Sequence, residues 1–238
     1  MVTYGLLVLI FRIANLVGGH RTIRVGTGRL PAGGAVLAIN HTSYVDFTYL
    51  GISARSVDRR YIRFMGKAEL RRNLAVRWLM RGCKVIPVDR AAGHEAYVAA
   101  VGRLRDGEIV GIYPEATISR SFEIKELKSG AARMALEADV PIIPAVVWGS
   151  QRILPKGGEK HLGRTRSPVM VSIGAPVPPA GTAEELTLTL RDAMTTLLHE
   201  VQDAYGPHPA GQPWVPARLG GSAPTLAEAD LLDAREHR

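Results

Sequence analysis

The chain has 238 residues, 46% of them hydrophobic, which is enough for one sizeable core, and nothing in its middle reads as a linker between two. Thirty Lys and Arg against 22 Asp and Glu leave a formal charge of +8, which favours phosphate-rich partners: nucleic acid, anionic lipid or a phosphorylated substrate. The single cysteine, Cys83, excludes an internal disulfide, makes no zinc site unaided, and fits a small buried residue in a reducing, cytoplasmic setting.

The chain opens with "MVTYGLLVLIFRIANLVGG", an apolar run interrupted by Arg12. The run falls short of the ~20 residues that a spanning helix needs. It lacks the basic lead and small-residue cleavage site of a secretory signal. Being apolar on nearly every side, this helix suits two environments. One is a protein core. The other is a membrane interface, with Arg12, Arg21 and Arg24 beside anionic headgroups. The expected division is an interfacial helix over 1–20, a main domain over 21–204 and a flexible tail over 205–238.

Within the main domain, short apolar runs alternate with segments of helical period. That is the pattern of a single α/β domain with a mixed sheet flanked by helices. Strands are expected at Thr22–Val25, Ala35–Ile39, Tyr61–Met65, Cys83–Ile86, Ile109–Tyr113, Pro141–Val147 and Val169–Ile173. Helices are expected at Val45–Ala54, Ala68–Arg81, His94–Arg105, Ser129–Ala138 and Glu184–Ala204, the last with Thr182 as its N-cap. After Tyr205 the run "GPHPAGQPWVPARLGGSAP" disfavours regular structure, and few of its residues look able to pack. The closing "TLAEADLLDAREHR" has the pattern of a short amphipathic helix, marginal in isolation.

Chemistry-bearing residues gather at predicted strand ends, where open α/β sheets collect ligands and reactive groups. "NHTSYVDF" puts His41 after a strand and Asp46 five positions on. A neutral imidazole takes a proton near pH 7, and a carboxylate on its other nitrogen fixes the tautomer. Taken alone, the pair reads equally as two ordinary loop residues. "GCKVIPVDR" ends a second run in Asp89 and Arg90, and "GIYPEATISRS" ends a third in Pro114 and Glu115. Lys128, in "ELKSGAARMA", stands just before a helix whose N-terminus favours an anion. Arg90, Arg120, Lys128 and Arg133 are each either phosphate ligands or solvated surface charges.

Rival chemistries lack their patterns. No G-x-S-x-G elbow surrounds Ser43 or Ser150. His41 and Asp46 make only two metal ligands, so no metal is expected. "GTGRLPAGG" fails the dinucleotide spacing and reads as a turn. Three Trp and four Phe offer little stacking surface, and no nucleic-acid module is present, so nucleic acid is not an expected partner.

Four blocks then stand in a familiar order: "NHTSYVD", "KVIPVDR", "YPEATIS" and "VPIIPAVV". Together they resemble the glycerolipid acyltransferases, the family typified by 1-acylglycerol-3-phosphate (lysophosphatidate) acyltransferase. The resemblance covers Asn40 to Val147. It implies transfer of a fatty acyl group from an acyl thioester, acyl-CoA or acyl carrier protein, to a lysophospholipid hydroxyl, with lysophosphatidate giving phosphatidate as the expected reaction. The thioester is a co-substrate, and no other cofactor is implied. In the family's mechanism His41 is the general base, Asp46 positions it, and no covalent acyl-enzyme forms.

By the same resemblance Arg90, Glu115 and Thr117 hold the acceptor's phosphate and glycerol, although Glu115 also reads as a structural carboxylate. The third block departs from the family pattern. Ala116 replaces a glycine and Ile118 replaces the phosphate-binding arginine, so Arg120 with help from Lys128 is expected to supply the charge. That departure leaves open another lipid or glycolipid acceptor, or a catalytically inactive membrane-binding relative. The expected setting is the cytoplasmic face of the cell membrane, peripheral or monotopic on an anionic surface, with a tunnel for the acyl chain near the site.

Overall fold

A computed structural model describes residues 2–89, 93–161, 163–164 and 166–236, apart from the side chains of residues 2–4 and 75. Its strands are β1 (Arg21–Val25), β2 (Ala35–Ile39), β3 (Ile62–Lys67), β4 (Ile86–Val88), β5 (Ile109–Ile112), β6 (Ile142–Trp148) and β7 (Pro168–Ile173). They form one mixed sheet in the order β1-β7-β6-β2-β5-β3-β4, parallel at every pairing except β6 with β7. The α/β expectation therefore holds.

β2 lies in the middle, and all five of its residues are buried. Its side chains alternate between the two faces of the sheet, as the strand period requires. Val36 and Ala38 join the core beneath α4 (Gly93–Arg105), α5 (Gly130–Ala138) and α6 (Ala183–Tyr205). Ala35, Leu37 and Ile39 join the core beneath α2 (Asp46–Ser53), with Tyr49 and Leu50. A strand covered on both faces needs the unbroken apolar run seen here. Each fully buried Val, Leu or Ile contributes about 1.5–3 kcal/mol.

Local chemistry sets the helix limits. Thr182 accepts from Glu185 N while the Glu185 carboxylate accepts from Thr182 N, a reciprocal cap that starts α6 at the expected place. The helix expected over Ala68–Arg81 is broken. A short 3-10 turn over Ala68–Arg72 ends at Asn73, whose backbone is extended and whose Oδ1 accepts from Val76 N, capping α3 (Leu74–Gly82). β4 also starts later than expected. Cys83 N and Val85 N bond back to Leu79 O and Met80 O, and Lys84 takes a positive φ of 52°, so this stretch closes α3 instead of pairing.

The segment after Tyr205 is not the structureless tail that its Pro and Gly content suggested. Val215 and Ala223 are buried, and Arg152 lies over the Trp214 ring at 4.4 Å from its centroid. α7 (Leu226–Glu236) docks on the domain through Asp233. α1 (Val2–Gly18) is not a buried core helix either. Phe11 packs edge-on against Phe47 of α2, while Leu6, Leu9, Ile10, Ile13, Leu16 and Val17 face solvent.

Candidate active site

β5, β2 and β6 are parallel neighbours, so their C-terminal ends open on one edge of the sheet. The loops that follow them carry the residues singled out in the sequence. Asn40 secures the first loop: its side chain accepts from Val147 N at 2.8 Å and donates to Val147 O at 3.1 Å, stapling the end of β2 to β6.

Past that staple, the chain turns so that one carboxylate collects the whole loop. Asp46 is fully buried at the start of α2. Its Oδ2 accepts from Ser43 N at 2.8 Å, Thr42 N at 2.9 Å and His41 Nδ1 at 3.1 Å, and its Oδ1 accepts from the Ser150 hydroxyl. Ser150 reaches it because Gly149 turns the chain after β6 with φ 100°. A Cβ at Gly149 would meet Pro168 O at 2.3 Å.

An ionised carboxylate only accepts, so His41 Nδ1 carries the proton and Nε2 presents its lone pair. The imidazole is 19% exposed, open enough to meet a substrate hydroxyl. An imidazole held this way can take a proton at Nε2 while the carboxylate steadies the resulting cation.

Two further contacts fix the ring. Tyr113, the residue after β5, stacks on His41 with centroids 3.9 Å apart and planes 21° from parallel. Among the described residues the Tyr113 hydroxyl is buried without a hydrogen-bond partner, and burial together with the Asp46 charge raises its pKa well above the usual phenol value. Glu115 reaches under the loop: His41 N donates to its Oε1 at 2.9 Å and Lys125 N to its Oε2 at 3.2 Å. Burial pushes the Glu115 carboxyl up to about 8, against the pull of these two donors. Both Glu115 oxygens are engaged by backbone, the geometry of a carboxylate that holds two loops together.

The remaining candidates are distributed unevenly. Thr117 accepts from Lys156 Nζ at 3.3 Å, and Ser119 N donates to His41 O at 2.7 Å, so the loop after β5 folds back on the histidine. Ile118 is buried, which is why an apolar residue fits that position. Arg120 is not a free cation. Its guanidinium is engaged by Asp233 and Glu236 of α7. Lys128 leaves its side chain exposed, and among the described residues it contributes a backbone bond to Pro114 O. β4 ends at Val88 on the far side of β5 and β3, roughly 14 Å of strand spacings from β2, and Arg90 lies outside the described residues. The sequence reading missed Asn40, Tyr113, Lys125, Ser150 and Lys156. Of these, Asn40, Tyr113 and Ser150 sit at or just past predicted strand ends, a signal that was available.

A family model described as "Acyltransferase" matches residues 21–148. The chain belongs to the acyltransferase family. It is 31% identical over 190 residues to the 1-acyl-sn-glycerol-3-phosphate acyltransferase of Bacillus subtilis (strain 168), spanning 79% of this chain and 88% of that one. It is 25% identical over 141 residues to the chloroplastic 1-acyl-sn-glycerol-3-phosphate acyltransferase LPAT1 of Arabidopsis thaliana, covering 38% of that longer protein. Its fold resembles the crystal structure of the 1-acyl-sn-glycerophosphate (LPA) acyltransferase PlsC from Thermotoga maritima, with a TM-score of 0.65, 20% identity and coverage of 83% and 82% of the two chains. The protein is thus an O-acyltransferase of the 1-acylglycerol-3-phosphate acyltransferase type.

Two stability predictions come from the loop after β5. Below about pH 8 the Glu115 carboxyl is protonated yet still offers an oxygen to each backbone N–H; Glu115→Gln puts an –NH2 against one of them, and lowers stability by about 1–3 kcal/mol in denaturant unfolding. The Glu115 pKa is about 8 in the folded chain against 4.5 for the free group, so the folded state holds its proton more tightly. Wild type therefore loses its advantage over the Gln variant as pH rises from about 4.5 to 8. A difference that widens over that range contradicts the assignment. Ala116 has φ 60°, the left-handed region. Ala116→Gly relieves that strain and raises stability by roughly 0.5–1 kcal/mol after the larger unfolded-state entropy of glycine is deducted, which thermal melting would register.

Proposed function

We propose that the chain transfers a fatty acyl group from an acyl thioester, on coenzyme A or acyl carrier protein, to the free hydroxyl of 1-acylglycerol 3-phosphate, giving phosphatidate. The observation that carries this reading is the His41–Asp46 pair, in which Nδ1 is committed to the carboxylate and Nε2 is the nitrogen that can accept a proton. As the acceptor oxygen attacks the thioester carbonyl, Nε2 takes its proton and Asp46 stabilises the imidazolium. A tetrahedral adduct forms, its C–S bond breaks, and the departing thiolate takes the proton back from the imidazolium. The acyl group passes directly between substrates, so no protein nucleophile is needed.

The relatives named as 1-acyl-sn-glycerol-3-phosphate acyltransferases support this acceptor. The exposed apolar face of α1 supports a site of action at a membrane surface, with six large side chains available to enter the headgroup region. No helix among the described residues is long and apolar enough to cross a membrane. Where Leu7 and Phe11 of α1 meet Phe47 and Gly51 of α2 the cavity is only about 20 Å³, whereas nearer the C-terminal end of α1 a cavity of about 360 Å³ is lined by Arg12, Asn15 and Leu16 of α1 and by Ile52 and Ser53 of α2. The acyl tunnel expected from the sequence is not open at the first of these.

Two experiments test the proposal. Purified protein is offered a labelled acyl thioester and, in turn, lysophosphatidate, glycerol 3-phosphate and other lysolipids. Phosphatidate formation with the label never retained on protein is the expected result, and transfer to a different lysolipid alone would refute the acceptor assignment. Replacing Ile13 and Leu16 by Asp removes two exposed anchors. With burial of each worth about 1.5–3 kcal/mol, cosedimentation with anionic vesicles falls by more than tenfold. Unchanged cosedimentation would exclude α1 as the anchor.

A further inference from the structure

We propose that Arg120, Lys125 and Lys156 form a binding site for a phosphomonoester, and that α7 keeps this site closed by placing Asp233 and Glu236 where the phosphate would bind. This deepens the acyl-transfer reading and rests on it for the identity of the natural ligand.

Three cations from two loops converge on one carboxylate. Asp233 Oδ2 lies 2.6 Å from Lys125 Nζ, and Asp233 Oδ1 lies 2.7 Å from Lys156 Nζ and 3.2 Å from Arg120 Nε. Glu236 receives Lys156 Nζ at 2.9 Å and an Arg120 Nη2, and Asp230 lies 3.0 Å from Lys125 Nζ. Among the described residues, every ion pair of these three cations goes to α7. Their side chains are only 10–13% exposed. Without α7 these three neighbouring positive charges would keep no ion-pair partner among the described residues, with the Glu115 carboxyl close enough to Lys125 to interact with it, an arrangement that calls for a multiply charged ligand. Although burial alone would raise the Asp233 carboxyl, Lys125 and Lys156 hold it down at about 2, as they would hold any anion seated there.

The donor set suits phosphate better than a lone carboxylate. A phosphomonoester presents three oxygens, and here a guanidinium and two ammonium groups meet at one carboxylate, with the Thr117 hydroxyl 3.3 Å from Lys156 Nζ. Its position is tied to the base. Glu115 bridges Lys125 N and His41 N, Ser119 N donates to His41 O, and the Lys156 loop is bonded to the histidine turn through Leu154 O, which accepts from Tyr44 N and the Ser43 hydroxyl.

α7 is built to leave. It buries only Ala229 and Asp233, while Leu226, Leu231 and Leu232 stay exposed, so ion pairs rather than apolar burial hold it. Thr225 and Glu228 cap its first turn without any bond to the domain, so undocking leaves that cap intact. Because ligand and α7 compete for the same cations, each must weaken the other by the same factor.

The test measures binding, independently of catalysis, using full-length wild type, the Asp233→Asn/Glu236→Gln double variant, and that variant with Lys156→Gln added. Calorimetric titrations use two probes, sn-glycerol 3-phosphate for the acceptor headgroup and coenzyme A for the donor's phosphates. The double variant is expected to bind glycerol 3-phosphate about tenfold more tightly than wild type, and Lys156→Gln is expected to cancel the gain. A gain confined to coenzyme A supports the site and assigns it to the donor. In wild type, saturating probe is expected to speed amide hydrogen exchange over residues 226–236, a readout that needs no variant. No gain in a double variant that melts like wild type, or exchange in α7 unchanged at saturating probe, overturns the proposal. If acyl transfer itself proves absent while the binding results hold, the function above falls and the anion site stands.

Discussion

The structure around the site depends on one buried anion. Asp46 has no contact with solvent, yet four donors reach its two oxygens: two backbone N–H groups, the Ser150 hydroxyl and the His41 ring. A carboxylate in that setting is tolerable only because every donor is supplied, and removing any of them would leave charge uncompensated. The same bonds that satisfy the anion shape the turn after β2, fix the imidazole tautomer and join the β6 loop to the β2 loop. Folding and chemistry thus make one demand on residues 41–46.

Sheet topology supplies the rest of the frame. β2 is paired on both sides by parallel strands, so three loops meet at a single edge without any long excursion of the chain. Glu115 and Asn40 then lock those loops to one another, the first through backbone N–H groups of His41 and Lys125, the second through both polar groups of Val147. The histidine is positioned by contacts that arrive from the loops after β2, β5 and β6 together.

Much of this was legible in the sequence because its causes are local. "AVLAI" and "IIPAVVW" are apolar throughout, and both became fully buried central strands. Thr182 and Glu185 carry their cap three residues apart. His41 and Asp46 lie within one turn. What escaped the reading has distant causes. Asp233 meets Lys156, Lys125 and Arg120 across 77, 108 and 113 positions, so no window of sequence reveals that the C-terminal segment docks or that Arg120 is already engaged. Tyr113 was placed at a strand end, but its stacking on His41 depends on the register of β5 against β2. The shifted start of β4 reflects how α3 closes, with the positive φ falling on Lys84 and not on the nearby Gly82.

The positive charge of the chain now has two separate settings. Some of it lies near the apolar helix α1, where Arg24 is paired with Asp58, and some is gathered beside the histidine, where α7 neutralises it. Both bear on how a soluble thioester and a bilayer-resident acceptor could reach one base. The claim at the centre is that His41 is that base, and the most direct measurement is the initial rate of acyl transfer to lysophosphatidate by wild type and by His41→Ala of equal thermal stability. The account predicts a loss on the order of 10²–10⁴-fold in the variant. Rates within a few-fold of each other would contradict it, leaving the His41–Asp46 pair a purely structural feature of the β2 turn.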